Sequence, residues 1–426
     1  MTSTRRQATD AAMSALSARF EEARPGRSNE PVWLSALRSS AFAALEANGL
    51  PRPNDEDFRY TDVRSILQEL VKDLPRSAES STPERELPWI ELSASGVTQA
   101  PGLPAELSVL PLSAVDPRAK GRDLGAFSIA PTDQAFAALP LAFAPDGALI
   151  TAEARVGEPI EVSIAPGARH APVWVDLRPG SKLTLVLSIR TLADGFSSAL
   201  ARIRVGRGAQ LALSIRTEAG DGAHVTRVEA EVLADAKLDL FTLDARGRTV
   251  RNETQVSLAE PGASASLSGL YIVGPGATVD HHTTLRHKAP RATSRQNYRG
   301  IVLERGSAGF TGRVIVDPNA DGTDAAQSSK NLLLSENGTA NTRPQLEIYA
   351  RDVKCSHGAT VGQLDPEQLF YLTSRGIARS EARKILTFAF GAELVGLRED
   401  PRVRATFTRV LLGAIGASPE LLMESP

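Results

Sequence analysis

Along the first part of the chain, apolar residues recur every three or four positions, through Met13, Leu16 and Phe20 and again through Leu34, Leu37, Phe42 and Leu45. That spacing puts them on one stripe of a helix and predicts an amphipathic helical region over 8–73. Between Pro75 and Pro145 the period is lost and prolines multiply, and short apolar runs such as 107-LSVLPL-112 predict loops with minor strands. From Ile150 to Gly362 the alternation becomes every second residue and is broken by glycine, as in 172-PVWVDLRPGSKLTLVLSIR-190 and 201-ARIRVGRGAQLALSIR-216. Strands place alternate side chains on opposite faces, so this stretch predicts a β region in which helix is nearly absent.

Within the β region a small-residue turn followed by alternating apolar positions recurs at 180-GSKLTL-185, 208-GAQLAL-213, 235-DAKLDL-240 and 262-GASASL-267, at separations of 28, 27 and 27 residues. Self-similarity at such a period predicts a solenoid, each coil stacking its strands on the next and glycine turning the corners. After Gly276 the interval drifts to 30 at Gly306 and 52 at Gly358, which leaves an ordinary β-sandwich as the alternative. Helix returns at the carboxy end. Asp365 is placed to cap a helix with Pro366 at its first position and Gln368 completing a capping box, Gly376 breaks that helix, Ser380 is placed to cap a second, and Asp400 with Pro401 starts a third through Val403, Phe407 and Leu411. The expected organisation is a helical region over 1–75, a loop-rich connection over 76–149, a β-helix core over 150–363 and a helical domain over 364–426.

Composition narrows the function classes. Forty-eight Lys and Arg against 50 Asp and Glu leave a formal charge of -2, without the basic surplus a dedicated nucleic-acid binder uses. No run approaches the roughly 18 apolar residues of a membrane span, and the amino end lacks an apolar signal core, so a soluble, cytoplasmic protein is expected. Cys355 is the only cysteine, which excludes an internal disulfide framework and suits a reducing compartment. The sequons at Asn252 and Asn337 are then chance matches.

The sharpest candidate chemistry lies in 351-RDVKCSHGATVGQLD-365, where Cys355 and His357 stand two apart in an alternating segment and so share a face. A thiolate and an imidazole supply two of the four positions of a tetrahedral site, so one chain with one cysteine cannot hold an iron–sulfur cluster and a second chain must contribute. The plainer reading makes Cys355 a small buried hydrophobe and His357 a hydrogen-bonded core residue. A Cys/His hydrolase would need a third orienting group and an oxyanion hole, which the local sequence does not offer. His281, His282 and His287 form a second cluster, but His281 and His282 are neighbours that point to opposite faces and cannot easily share an ion. The stretch 178-RPGSKLT-184 lacks the spacing of a phosphate-binding loop, and the balanced charge of the chain weighs against reading the helix, turn and helix at 366–390 as a DNA-binding motif.

Taken together, 55-DEDFRYTDVR-64, 324-DAAQSSKNLLLS-335, 344-PQLEIYARDVKCSHGATVGQLD-365 and 369-LFYLTSRGI-377 with Glu381, Ala382 and Arg383 resemble the SufB/SufD family of iron–sulfur cluster assembly proteins over most of the chain. Of these, 55-DEDFRYTDVR-64 reads as a packing and turn element. The string 355-CSHGAT-360 and the serines of 327-QSSKNLLLS-335, where SufB-like sequences carry an acidic residue and a cysteine, are similar to the SufD branch. The resemblance implies a mainly β fold, a right-handed parallel β-helix core flanked by amino- and carboxy-terminal α-helical regions. It also implies a non-catalytic subunit that pairs with a SufB paralogue through β-helix strands and docks the SufC ATPase through its carboxy-terminal helices, with Leu369, Phe370, Ile385 and Phe388 as docking candidates. His357, with Cys355 second, would act at the SufB/SufD interface, where iron or a nascent Fe–S cluster sits transiently and no cofactor is stably held by the isolated chain. A homodimer in the absence of SufB is compatible with this plan. The alternatives are a purely structural scaffold without iron or cluster ligation, and a β-helix carbohydrate-active enzyme, which would need clustered carboxylates and export.

Overall fold

The computed structural model describes residues 2–53, 55–72, 85–118, 135–191 and 194–418. Parts of the Pro75–Pro145 stretch, 75–84 and 119–134, therefore lie outside the described residues. Four helices precede or flank the β region: α1 (Thr2–Ala23), α2 (Val32–Asn48), α3 (Val63–Val71) and α4 (Ala135–Phe143). Three follow it: α5 (Pro366–Ser374), α6 (Arg379–Val395) and α7 (Pro401–Ala414).

Nineteen strands form two sheets among the described residues. The ten-stranded sheet holds β1 (Trp89–Ser93), β2 (Gly96–Gln99), β5 (Ile160–Ile164), β7 (Lys182–Arg190), β9 (Gln210–Glu218), β11 (Lys237–Arg246), β13 (Ser264–Val273), β15 (Thr293–Val302), β17 (Thr323–Leu333) and β19 (Val353–Gly362). Its nine-stranded counterpart holds β3 (Leu107–Pro111), β4 (Ala148–Ala152), β6 (His170–Leu177), β8 (Phe196–Val205), β10 (Ala223–Val232), β12 (Thr249–Leu258), β14 (Thr278–His287), β16 (Ser307–Val316) and β18 (Thr339–Ile348). From β4 onward the chain alternates between the sheets, and from β6 onward each strand pairs in parallel with the strand two before it. That is a parallel β-solenoid, and it excludes the β-sandwich.

The repeat read from the sequence is one ladder of turns. Gly180, Gly208, Asp235 and Gly262 all have positive φ, between 55 and 74°, and each donates its N–H to the equivalent turn of the next coil, for instance Gly180 to the Arg207 carbonyl at 2.9 Å. The ladder continues through Arg291 and Gly322, not through Gly306 and Gly358. Arg291 holds φ 56°, so a search for glycine loses the register there and crosses to another corner of the coil at Gly276 and Arg305.

Inward side chains fill the solenoid, largely with Val, Leu, Ile and Ala in the earlier coils. A second apolar cluster joins α1–α4 to the outer faces of β6, β8 and β10, and a third joins Val403, Phe407 and Leu411 of α7 to Phe241, Leu243 and Leu270 on the outer face of the ten-stranded sheet. The helix α4 was not legible as one, because AFAALPLAF is apolar all round and shows no stripe. Caps at Asp365 and Asp400 are as expected, though the Asp365 carboxylate accepts from Glu367 N–H at 2.8 Å; Ser380 caps nothing, since α6 begins at Arg379 after Ala378 with no side-chain cap. No helix of the described residues is long and apolar enough to cross a membrane.

Candidate functional site

The last coil, β18 and β19, ends both sheets. Residues on the inner faces of earlier coils are covered by the coil that follows; here none follows. Alternation and register carry the inner face from Ala325, Gln327, Ser329 and Asn331 of β17 onto Cys355, His357, Ala359 and Val361 of β19. Cys355 and His357 therefore share the inner face, as their spacing requires. Cys355 is half-buried against the solenoid core, whereas His357 is exposed. His357 is thus not a hydrogen-bonded core residue, while Cys355 keeps partial apolar packing. Partial burial, chiefly, raises the Cys355 thiol above its ordinary value, with the nearby Asp324 carboxylate adding to it and the Ala325 backbone opposing. A thiol raised in this way is a weak nucleophile.

Ile348, Tyr349 and Val361 stand 41%, 61% and 46% exposed around this end, an apolar rim beside strands whose outer backbone groups have no partner strand among the described residues. Cys355 and His357 offer two donors, and among the described residues no group of three or more His, Cys, Asp and Glu could hold a metal ion.

On the carboxy-terminal helices Phe370 is 73% exposed and Tyr371 55%, the latter under the Arg375 guanidinium at 4.7 Å. Leu369 is buried, and Ile385 and Phe388 are half-buried, Phe388 against the cluster that holds α7. The three histidines of the second cluster separate as their positions demand. His281 points inward and its Nε2 lies 2.8 Å from Asp244 Oδ2, His282 points outward to Asp280 at 3.1 Å, and His287 is buried with Nε2 2.9 Å from Ser294 Oγ. Asn252 is also buried, donating to Asp244 at 2.8 Å, which fits the reading of its sequon as chance.

A buried ion ladder runs along the outer face of the nine-stranded sheet. Arg202 pairs with Glu229, Glu229 with Arg227, Arg227 with Glu253, Glu253 with Arg251, and Arg251 with Asp280, all at 2.7–2.9 Å. Burial pushes the Glu253 carboxyl up, but Arg251 and Arg227 outweigh it and bring it to about 2; burial likewise opposes Asp280, which His282, Arg251 and Thr61 bring to about 2. The segment 55-DEDFRYTDVR-64 closes over this ladder: Thr61 accepts from Arg251 at 2.7 Å, Phe58 lies 4.1 Å beneath that guanidinium, and Glu56 pairs with Arg343. It is a packing and turn element, as expected. The signal for the ladder was present as Arg-x-Glu at 227–229 and 251–253, one coil apart on register-paired strands.

Comparison with known proteins agrees with this architecture. The family described as SUF system FeS cluster assembly, SufBD core domain, matches residues 163–390. The iron–sulfur cluster assembly protein SufD of Escherichia coli is 33% identical over 254 residues, covering 59% of this chain and 59% of that protein. A SufBD family protein of Synechocystis is 31% identical over 201 residues, 47% of this chain and 44% of its own length, so the chain spans about half the length of these two relatives. Protein ABCI7, chloroplastic, of Arabidopsis thaliana is 27% identical over 399 residues, 85% of this chain and 82% of that protein.

Proposed function

We propose, from the premise that this chain belongs to the SufBD family of the SUF iron–sulfur cluster assembly system, that it is the SufD-type subunit of the assembly scaffold. It has no turnover of its own and contributes half of a site at the junction with a SufB paralogue. The observation that carries the reading is the uncovered last coil: a solenoid end with unpaired strand edges, an apolar rim, and Cys355 and His357 together on its inner face. Adding a partner's strands to β18 and β19 would satisfy the edge N–H and C=O groups and bury the rim. In that junction His357 is the interface ligand or proton-handling group, Cys355 the second donor, and the remaining donors come from the partner. Iron and sulfide are cargo, held transiently and not by the isolated chain. Without the SufB-type partner, the same surface could pair with a second copy of this chain.

The SufC-type ATPase docks on α5–α7, with exposed Phe370 foremost among Leu369, Phe370, Ile385 and Phe388. Balanced charge and the absence of a membrane-length helix among the described residues give no support to a nucleic-acid or membrane partner, and the reading places the complex in the cytoplasm.

The test is anaerobic co-expression with the neighbouring partners. His357→Ala leaves folding and complex assembly at wild-type levels and lowers iron and cluster recovered with the complex by tenfold or more. Wild-type iron in both His357→Ala and Cys355→Ser would reduce the chain to a structural scaffold without ligation.

A further inference from the structure

One ladder step behind His357 lies a glutamine whose hydrogen-bonding capacity is unused. Gln327 of β17 is the register partner of His357, and it belongs to an inner-face column that runs Leu240, Leu267, Gln296, Gln327, His357. Adjacent strands lie about 4.8 Å apart, so a glutamine side chain spans one step. Gln327 is 4% exposed, and neither its Nε2 nor its Oε1 has a partner among the described residues.

The amide extends toward the opposite sheet, where a Cβ at Gly312 of β16 would collide with it, so the lack of a side chain at 312 makes its room. Thr342 of β18 has a buried, unpartnered hydroxyl. Deeper in the column the demand is partly met, since Gln296 Oε1 accepts from Thr283 at 2.7 Å. An unsatisfied buried amide costs about 1–3 kcal/mol, and leucine fills the same column two coils earlier, so packing alone does not call for a glutamine at 327.

We propose that Gln327 is the positioning residue of His357. When a partner covers the last coil, Gln327 Oε1 accepts the ring N–H of His357, which leaves the other ring nitrogen's lone pair free for iron. A histidine that binds metal almost always donates its second ring N–H to an acceptor, and on the inner face Gln327 is the acceptor one step away. The inference rests on His357 acting at the interface.

The experiment compares Gln327→Met, which keeps the volume over Gly312 and removes the acceptor, with Gln327→Glu, which keeps an acceptor. Each is assembled with the SufB-type and SufC-type partners, and Fe(II) affinity is measured by anaerobic titration alongside the Tm of the free chain. The expected result is a 10–100-fold weaker Kd in Gln327→Met, an unchanged or raised Tm, an intact complex, and a Kd within threefold of wild type in Gln327→Glu. A wild-type Kd in Gln327→Met, as a lumen water satisfying the amide would give, overturns the inference. So does a lowered Tm or loss of the complex in both variants, which assigns Gln327 to packing. His357→Ala, titrated in parallel, separates the two failures: wild-type affinity there removes the reading beneath, whereas weak affinity there with wild-type affinity in Gln327→Met removes only the role of Gln327.

Discussion

At Arg251 the guanidinium is 2% exposed as a side chain, yet it meets Glu253, Asp280 and Thr61 and lies over the Phe58 ring. A buried charge of this kind is tolerated because each neighbour is opposite in charge or accepts its protons, and removing it takes a cationic partner from two buried carboxylates at once, Glu253 and Asp280. Arg251→Ala is therefore expected to cost about 3–5 kcal/mol, read as a fall in the urea midpoint with an unchanged m-value; a shift under 1 kcal/mol would mean that solvent reaches the ladder. Gly312 and Gln327 show the same dependence in the other direction, since a missing Cβ on one strand makes room for an amide from the other sheet. The Arg251–Glu253 step lies within one strand and shows in the chain as Arg-x-Glu, whereas Asp280, Thr61 and the Gly312–Gln327 pair lie 15 to 190 residues from their partners and meet only in the fold.

Among the elements, α5 presents Phe370 outward while α6 and α7 turn Phe388 and Phe407 toward the outer face of the ten-stranded sheet. The two phenylalanines proposed for docking should thus separate on mutation. Phe370→Ser leaves the Tm within about 2 °C and weakens association with the SufC-type ATPase, because an exposed ring contributes to a partner and not to the core. Phe388→Ser lowers stability by about 1–3 kcal/mol, monitored by circular dichroism, before any effect on association is read. Equal stability loss in both would place Phe370 in a packing role. The terminal strands follow the same logic: β18 and β19 present inner-face residues that an additional coil would bury, which is why an apolar rim persists at that end.

Over the whole molecule, the solenoid interior and the outer ladder together set the acid response. Burial lowers His224 and His287 from 6.5 to about 4, so both stay neutral in the fold while the unfolded chain takes up protons below about 6.5. Glu253 and Asp280, held at about 2, stay charged in the fold while the unfolded chain protonates them near 4. In all four the folded value is depressed, so the stability is present above the unfolded value and is lost as pH falls through the folded one. Stability should decline from about pH 6.5 as the histidines begin to count and more steeply from about pH 4.5, reaching its floor near pH 2. Chemical denaturation at pH 7.5, 5.5 and 4 checks this, and equal midpoints at 7.5 and 5.5 would show that the histidines take up protons without unfolding. A solenoid repeat, its helical ends and the shared face of Cys355 and His357 were legible in the sequence, because strand alternation, turn period and i, i+2 spacing are local properties of the chain, whereas the parallel strand direction was implied only by the family resemblance. Tertiary structure alone decided that His357 is exposed on the final coil, that α4 is a buried helix, and that an arginine–carboxylate ladder anchors residues 55–64. Each of these depends on which strands and helices come to lie against one another, and that is fixed by contacts between segments distant in the chain.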